Sequence, residues 1–171
     1  MPEGPKAGAG TPRRVLGIDL GERRIGVAVG DLDARIATPL TTLSRARSMA
    51  QDALVISRLA SEQRAGGLVV GLPLDMDGGE GLQAIRTREW AVAVGGVTGL
   101  PVRFRDERLS SERAERRVGM PARGRSGGPP TSAQRDGHRA RIDREAAALI
   151  LQDELDATVT EKGSQRPDDG S

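Results

Sequence analysis

Residues Arg14–Asp31 read RVLGIDLGERRIGVAVGD, two apolar runs separated by the polar link GERR. Val15–Leu20 and Ile25–Gly30 are rich in branched aliphatic residues, and so short a link joins them as an antiparallel hairpin. Asp19 stands inside the first run, where Val15, Leu16 and Ile18 ask for burial. A buried carboxylate is costly alone and is relieved by protonation, a cationic partner or a metal. A turn-entry Asp that accepts from the amides of LGER explains it equally well at this point.

Outward from the hairpin the chain reads β-β-β-α-β-α-β-α-loop-α. Ala37–Leu43 is a third strand whose proline favours an edge or a strand start. Met49, Ala53, Ile56 and Ala60 recur at helical spacing, with Leu59 on the flank. Ala65-Gly66-Gly67 should end that helix before the apolar strand Leu68–Pro73. DMDGGEG is a loop, and a helix over about 81–94 is closed by Gly95, Gly96 and Gly99. A strand over 101–105 follows, then a short helix capped by Ser110 and reaching Val118. Residues 119–139, GMPARGRSGGPPTSAQRDGHR, suit no regular element, and the last helix is expected over about 141–157. A hairpin and third strand followed by alternating helices and parallel strands specify an α/β fold, a mixed five-stranded sheet flanked by helices. The expected organisation is one domain over 14–159, containing a flexible basic loop at 119–140, between disordered tails at 1–13 and 160–171.

Composition narrows the chemistry. The chain has 171 residues, one Trp, one Phe, and neither Tyr nor Cys, so disulfides and thiolate metal sites are excluded and base stacking on aromatic platforms is disfavoured. No apolar run reaches the roughly 18 residues of a membrane span, and the first residues lack the apolar core of a secretory signal, so a cytoplasmic protein is expected. Arg outnumbers Lys by 24 to 2. Residues 103–144 carry 12 Arg against 6 acids, whereas 145–171 carry 7 acids against 2 basic residues. That layout fits an anionic partner for the basic region; an Arg-rich solvated surface is the alternative.

Two further acids share the oddity of Asp19. Glu107, in VRFRDERLSS, follows a strand end, where ligands gather in α/β sheets. A surface pairing of Asp106 or Glu107 with a neighbouring arginine is its plain alternative. Asp143, in RIDREAAALILQDELD, has Ala146, Ala147 and Ile150 at i+3, i+4 and i+7, so it lies on the apolar stripe of the final helix. Favourable placement at the helix dipole explains an acid in a first turn but not one on a buried stripe. Asp153, Glu154 and Asp156 read as solvated, and Asp31, Asp75 and Asp77 as turn formers. With the lone His138 in an irregular segment, three converging carboxylates would suit Mg²⁺ or Mn²⁺ rather than zinc. Two such ions would activate water and stabilise the leaving oxygen of a phosphodiester.

The stretches LGIDLGERRIGVAVGD, VVGLPLDMDGGEG, VRFRDERLSS and IDREAAALILQDEL, in that order over most of residues 14–157, together resemble the YqgF family. Its members are RNase H-like proteins known as pre-16S rRNA nucleases and as Holliday-junction-resolvase-like. The resemblance implies an RNase H-like fold and metal-dependent cleavage of structured nucleic acid, with Asp19, Glu107 and Asp143 as catalytic acids. Asp19 would bridge two ions, and Glu107 and Asp143 would each help hold one. Precursor ribosomal RNA is the favoured substrate and branched DNA the second, with the protein a monomer or homodimer. Arg123, Arg125, Arg135, Arg139 and Arg141 are the candidate phosphate contacts, in a segment longer than the family's usual basic one. Two rivals stand beside this reading: a kinase-like ATPase, disfavoured because such folds need two large domains, and a binding module that grips RNA or the transcription machinery without cutting.

Overall fold

The computed structural model describes residues 11–163, with side-chain environments through residue 158. Of the two expected tails, 1–10 and 164–171 lie outside the described residues, whereas 160–163, expected to be disordered, continue the last helix. The chain runs β1 (Arg14–Leu20), β2 (Arg24–Asp31), β3 (Ile36–Ser44), α1 (Met49–Gln63), β4 (Ala65–Leu72), α2 (Leu82–Thr98), β5 (Val102–Asp106), α3 (Ser110–Val118) and α4 (Ser132–Gly163). The strands form one sheet in the order β3-β2-β1-β4-β5. β1–β2 and β2–β3 pair antiparallel, while β1–β4 and β4–β5 pair parallel. This is the mixed five-stranded sheet expected, with the hairpin at its heart.

Alternation along the strands sorts residues between two faces. Leu16, Ile18 and Leu20 of β1, Ile25 and Val27 of β2, and Leu68 and Val70 of β4 pack with Ile56 of α1 and Trp90 and Val94 of α2. Residues of the other parity face α4. There Ala28 and Val69 meet Ala147, Ile150, Leu151 and Leu155, while α3 adds Ala114 against Ala146 and Leu149. On this second face β1 carries glycine where α4 comes closest. A Cβ on Gly17 would stand 2.7 Å from Leu151 Cβ and 2.8 Å from the Ala147 carbonyl oxygen.

Several boundaries differ from expectation for physical reasons. The first helix ends on Arg64, which adopts the left-handed conformation (φ 55°) and bonds back to Ala60 and Ser61. Ala65–Gly67 therefore enters β4 instead of terminating α1. Gly95 and Gly96 stay helical, and α2 closes only at Gly99. Ser110 is not a cap: Leu109 holds that position, and the Ser110 hydroxyl donates to the Glu107 carbonyl at 2.8 Å.

The largest correction concerns the last helix. It begins at Ser132, so 132–139 is helix and Asp143 sits in its fourth turn rather than its first. The cause is a capping box in the sequence Thr131-Ser132-Ala133-Gln134. The Gln134 amide donates to Thr131 Oγ1 at 3.2 Å, and the Thr131 amide donates to Gln134 Oε1 at 2.8 Å. The helix dipole cannot account for Asp143 so far from the terminus. Glu154, expected to be solvated, is nearly buried and pairs with Arg103 and Arg105 at 3.2 and 3.5 Å across the sheet edge.

Candidate active site

Asp19 lies on the α4 face at the end of β1, directly opposite Gly26 of β2. On its other side β4 runs parallel with Ile18 paired to Val70, which sets Gly71 beside Asp19. Both flanking glycines are filled by neighbours. A Cβ on Gly26 would collide with the Asp143 carbonyl, and one on Gly71 would collide with Glu107 Oε2 and lie 2.6 Å from Ile150 Cδ1. The two gaps in the sheet surface thus receive the α4 backbone and the Glu107 carboxyl, and three acids distant in sequence meet around one strand end.

Glu107 is held there by its backbone. Its amide donates to the Leu72 carbonyl at 3.2 Å, and its carbonyl accepts from the Ser110 amide at 2.9 Å. Its carboxyl lies close to that of Asp19. Two ionised carboxylates so close repel and only accept hydrogen bonds, so their proximity favours a proton on one of them. Burial, then the Asp19 charge, pushes Glu107 up to about 9. Burial raises Asp19 to about 6, opposed by its bond to Glu107 and assisted by the Asp143 charge. No N–H or hydroxyl donor faces the buried Glu107 Oε2 among the described residues. An unpaired buried acceptor beside a charge-poor acid pair is costly and is what a cation would satisfy.

Asp143 is near enough to influence Asp19 but turned elsewhere. Its Oδ2 accepts from Arg24 Nε at 2.6 Å, in a pair about one quarter exposed. Among the described residues no three acidic or histidine side chains are grouped closely enough to hold an ion as they stand. Asp19 and Glu107 are joined, while Asp143 lies alongside with its carboxylate on Arg24. The donors are all carboxylate oxygens, a set that suits a hard divalent cation. A cleft of about 320 Å³ opens beside Glu107, lined also by Met76, Arg108, Ser110, Arg113 and Asp153.

The five candidate phosphate contacts lie on one end of α4 and the segment before it. Arg123 and Arg125 precede the helix, and the Arg123 carbonyl accepts from Gln134 Nε2 at 3.2 Å. Arg135 is spent partly on the local turn, donating to the Pro130 carbonyl at 2.6 Å. Arg139 and Arg141 are exposed on the helix. Steps of four align Arg135 and Arg139 with Asp143 on one stripe. Among the described residues none of the five bonds to the acids. Asp31 and Asp77 are turn formers as expected, Asp31 Oδ1 accepting from the amides of Asp33 and Ala34 and Asp77 Oδ1 from Gly79.

Two features escape the sequence reading. Arg24 looks like a turn residue in GERR, yet it shares parity with Gly26, which would have placed it on the acid face. Buried Asp52 accepts from Arg45 Nε at 2.8 Å, Trp90 Nε1 at 3.0 Å and the Ala46 amide at 2.7 Å. Arg45 also donates to the Gly21 carbonyl at 2.9 Å, tying the hairpin turn after Asp19 to α1 and α2.

A family model described as "RuvX: Holliday junction resolvase" matches residues 13–157. A Chloroflexus aggregans protein named "Putative pre-16S rRNA nuclease" is 43% identical over 150 residues, covering 84% of this chain and 93% of the relative. An Anaeromyxobacter dehalogenans protein of the same name is 46% identical over 143 residues, covering 84% and 96%. Among solved structures, RuvC of Thermus thermophilus superposes with a TM-score of 0.50 at 13% identity, covering 86% of this chain and 96% of that one. The superposition shows an RNase H-like fold. Taken with the motifs threaded through residues 14–157, these matches establish that the chain belongs to the RuvX family, the one its sequence resembles under the name YqgF.

Proposed function

We propose that this protein is a divalent-metal-dependent nuclease that hydrolyses phosphodiester bonds in structured nucleic acid and processes the ends of pre-16S ribosomal RNA in the cytoplasm. The observation that carries the reading is the half-buried Asp19–Glu107 pair, with the buried Glu107 Oε2 facing no N–H or hydroxyl donor among the described residues and Asp143 alongside. A purely structural site would have filled the same space with apolar side chains at less cost. The names of the relatives favour ribosomal RNA over branched DNA. Among the described residues no helix is long and apolar enough to cross a membrane.

Asp19, Glu107 and Asp143 are the residues that would hold Mg²⁺ or Mn²⁺, the first shared and the others flanking it. Such ions, when bound, supply an activated water and neutralise the leaving oxygen. Glu107 must release its proton to become a ligand, so loading is favoured as pH rises toward 9. Arg139 and Arg141, exposed on α4, position the backbone by its phosphates, and Arg123 and Arg125 extend that contact.

The test incubates the full chain with labelled pre-16S rRNA fragments and with four-way DNA junctions in Mn²⁺ or Mg²⁺. Cleavage of the RNA is expected, and Asp19→Asn should lower kcat by about 10³-fold while substrate binding changes little. Cleavage that survives Asp19→Asn removes the mechanism. Junctions cut in preference to RNA overturn the substrate assignment. Binding of RNA with no cleavage in either metal identifies a binding module instead.

A further inference from the structure

We propose that Arg24 is a partner-switching residue, holding Asp143 in the metal-free protein and moving to a phosphate of bound nucleic acid once a divalent cation takes the Asp143 carboxylate. The inference rests on the nuclease reading above.

Position comes first. Arg24 begins β2 on the face toward α4, two residues before Gly26, which pairs with Asp19 and receives the α4 backbone at Asp143. Its guanidinium is therefore the cation built into the acid cluster. The contact is single: Nε donates to Asp143 Oδ2 at 2.6 Å, and among the described residues the guanidinium makes no further hydrogen bond. Side-chain exposures of 29% for Arg24 and 26% for Asp143 make this a half-buried pair with one side reached by solvent. Ion pairs this exposed add little stability and exchange partners readily. A guanidinium differs here from any other neutralising group because its planar fork binds phosphate oxygens in pairs.

Competition follows from this arrangement. Arg24 and a divalent ion seek the same carboxylate, and the ion brings the higher charge. A guanidinium released at the strand end stands beside the acids, where a phosphate being cleaved must lie. The same side chain thus holds Asp143 in the free protein and contacts substrate in the complex. Around Glu107, by contrast, Arg108 is held by Asp106, and Arg103 and Arg105 reach Glu154.

The experiment uses the full chain stripped of metal. Mn²⁺ binding is measured by titration calorimetry, and binding of a fluorescein-labelled RNA hairpin by anisotropy in Ca²⁺, for wild type, Arg24→Gln and Arg24→Lys. Arg24→Gln removes the competitor, so Mn²⁺ should bind about tenfold tighter and the RNA about tenfold weaker. Arg24→Lys keeps a charge without the fork; its Mn²⁺ affinity should stay within about threefold of wild type while RNA affinity falls about fivefold. Opposite movement of the two affinities is a readout a merely structural role would not produce, since damage to the site weakens both. Mn²⁺ affinity unchanged or lowered in Arg24→Gln, or RNA affinity unchanged in both variants, overturns the switch alone. Should Arg24→Gln fail to fold, Arg24→Lys decides: loss of Mn²⁺ affinity or unaltered RNA affinity overturns the switch. Wild-type protein that binds no Mn²⁺ overturns the nuclease reading together with it.

Discussion

Replacing Glu107 by Gln should stabilise the metal-free protein at neutral and alkaline pH and leave it little changed in acid. In the folded chain burial and the Asp19 charge raise Glu107 from 4.5 to about 9. Between those values the native state binds the proton and the unfolded chain does not, so stability declines as pH rises through the window. Below 4.5 the carboxyl is protonated in both states and contributes no slope. At pH 7.5 the wild type must carry a proton about three units above the unfolded value, a cost on the order of 4 kcal/mol at 1.36 kcal/mol per unit. Relaxation of the segment after β5 admits water and reduces this to about 2 kcal/mol. Gln supplies an amide in place of that proton and keeps a donor toward Asp19. For a chain this size the gain corresponds to a Tm about 4–8 °C higher. Thermal melts in EDTA at pH 4.5, 6, 7.5 and 8.5 measure it, with a gap between variant and wild type that widens with pH. Saturating Mn²⁺ should then raise the wild-type Tm and not that of the variant. A variant no more stable than wild type at pH 8.5, or one stabilised equally at pH 4.5, refutes the shared-proton description.

Three further predictions test how the site is built. Gly26→Ala drives a methyl into the Asp143 carbonyl and should cost about 2 kcal/mol or more in urea denaturation, because α4 must lift from the strand. Asp52→Ala leaves Arg45 and Trp90 without their buried acceptor, a loss of about 3 kcal/mol by the same measurement. Arg64→Gly removes an L-residue from φ 55° and should raise stability by about 1 kcal/mol; a loss would show that the Arg64 side chain contributes more than its backbone costs.

Much of this molecule is legible in one dimension. The strand parity of RVLGIDLGERRIGVAVGD follows from local pattern, and that parity alone sends Asp19 away from Leu16 and Ile18. The order of strands and helices, the stripe that carries Asp143, and the turn-forming roles of Asp31 and Asp77 were readable for the same reason: period and turn chemistry act over a few neighbouring residues. The start of α4 was encoded too, in Thr131 and Gln134, but Gly-Pro-Arg composition around that capping box obscured it.

What no local pattern could supply is the set of distances among Asp19, Glu107, Asp143 and Arg24. Those depend on Gly26 and Gly71 opening gaps in the sheet surface, on the Leu72 carbonyl anchoring Glu107, and on α4 crossing β2 where the glycine lies. Each contact joins segments dozens of residues apart and exists only once the layers pack. Glu154 shows the same limit: its own helix reads it as solvated, and only the approach of β5 gives it Arg103 and Arg105. The sequence by itself determined which residues face which side of each element and that acids would stand where burial is expected. Tertiary packing alone decided that two of them lie close together while the third holds an arginine, because desolvation and charge pairing are properties of the assembled interior rather than of any segment.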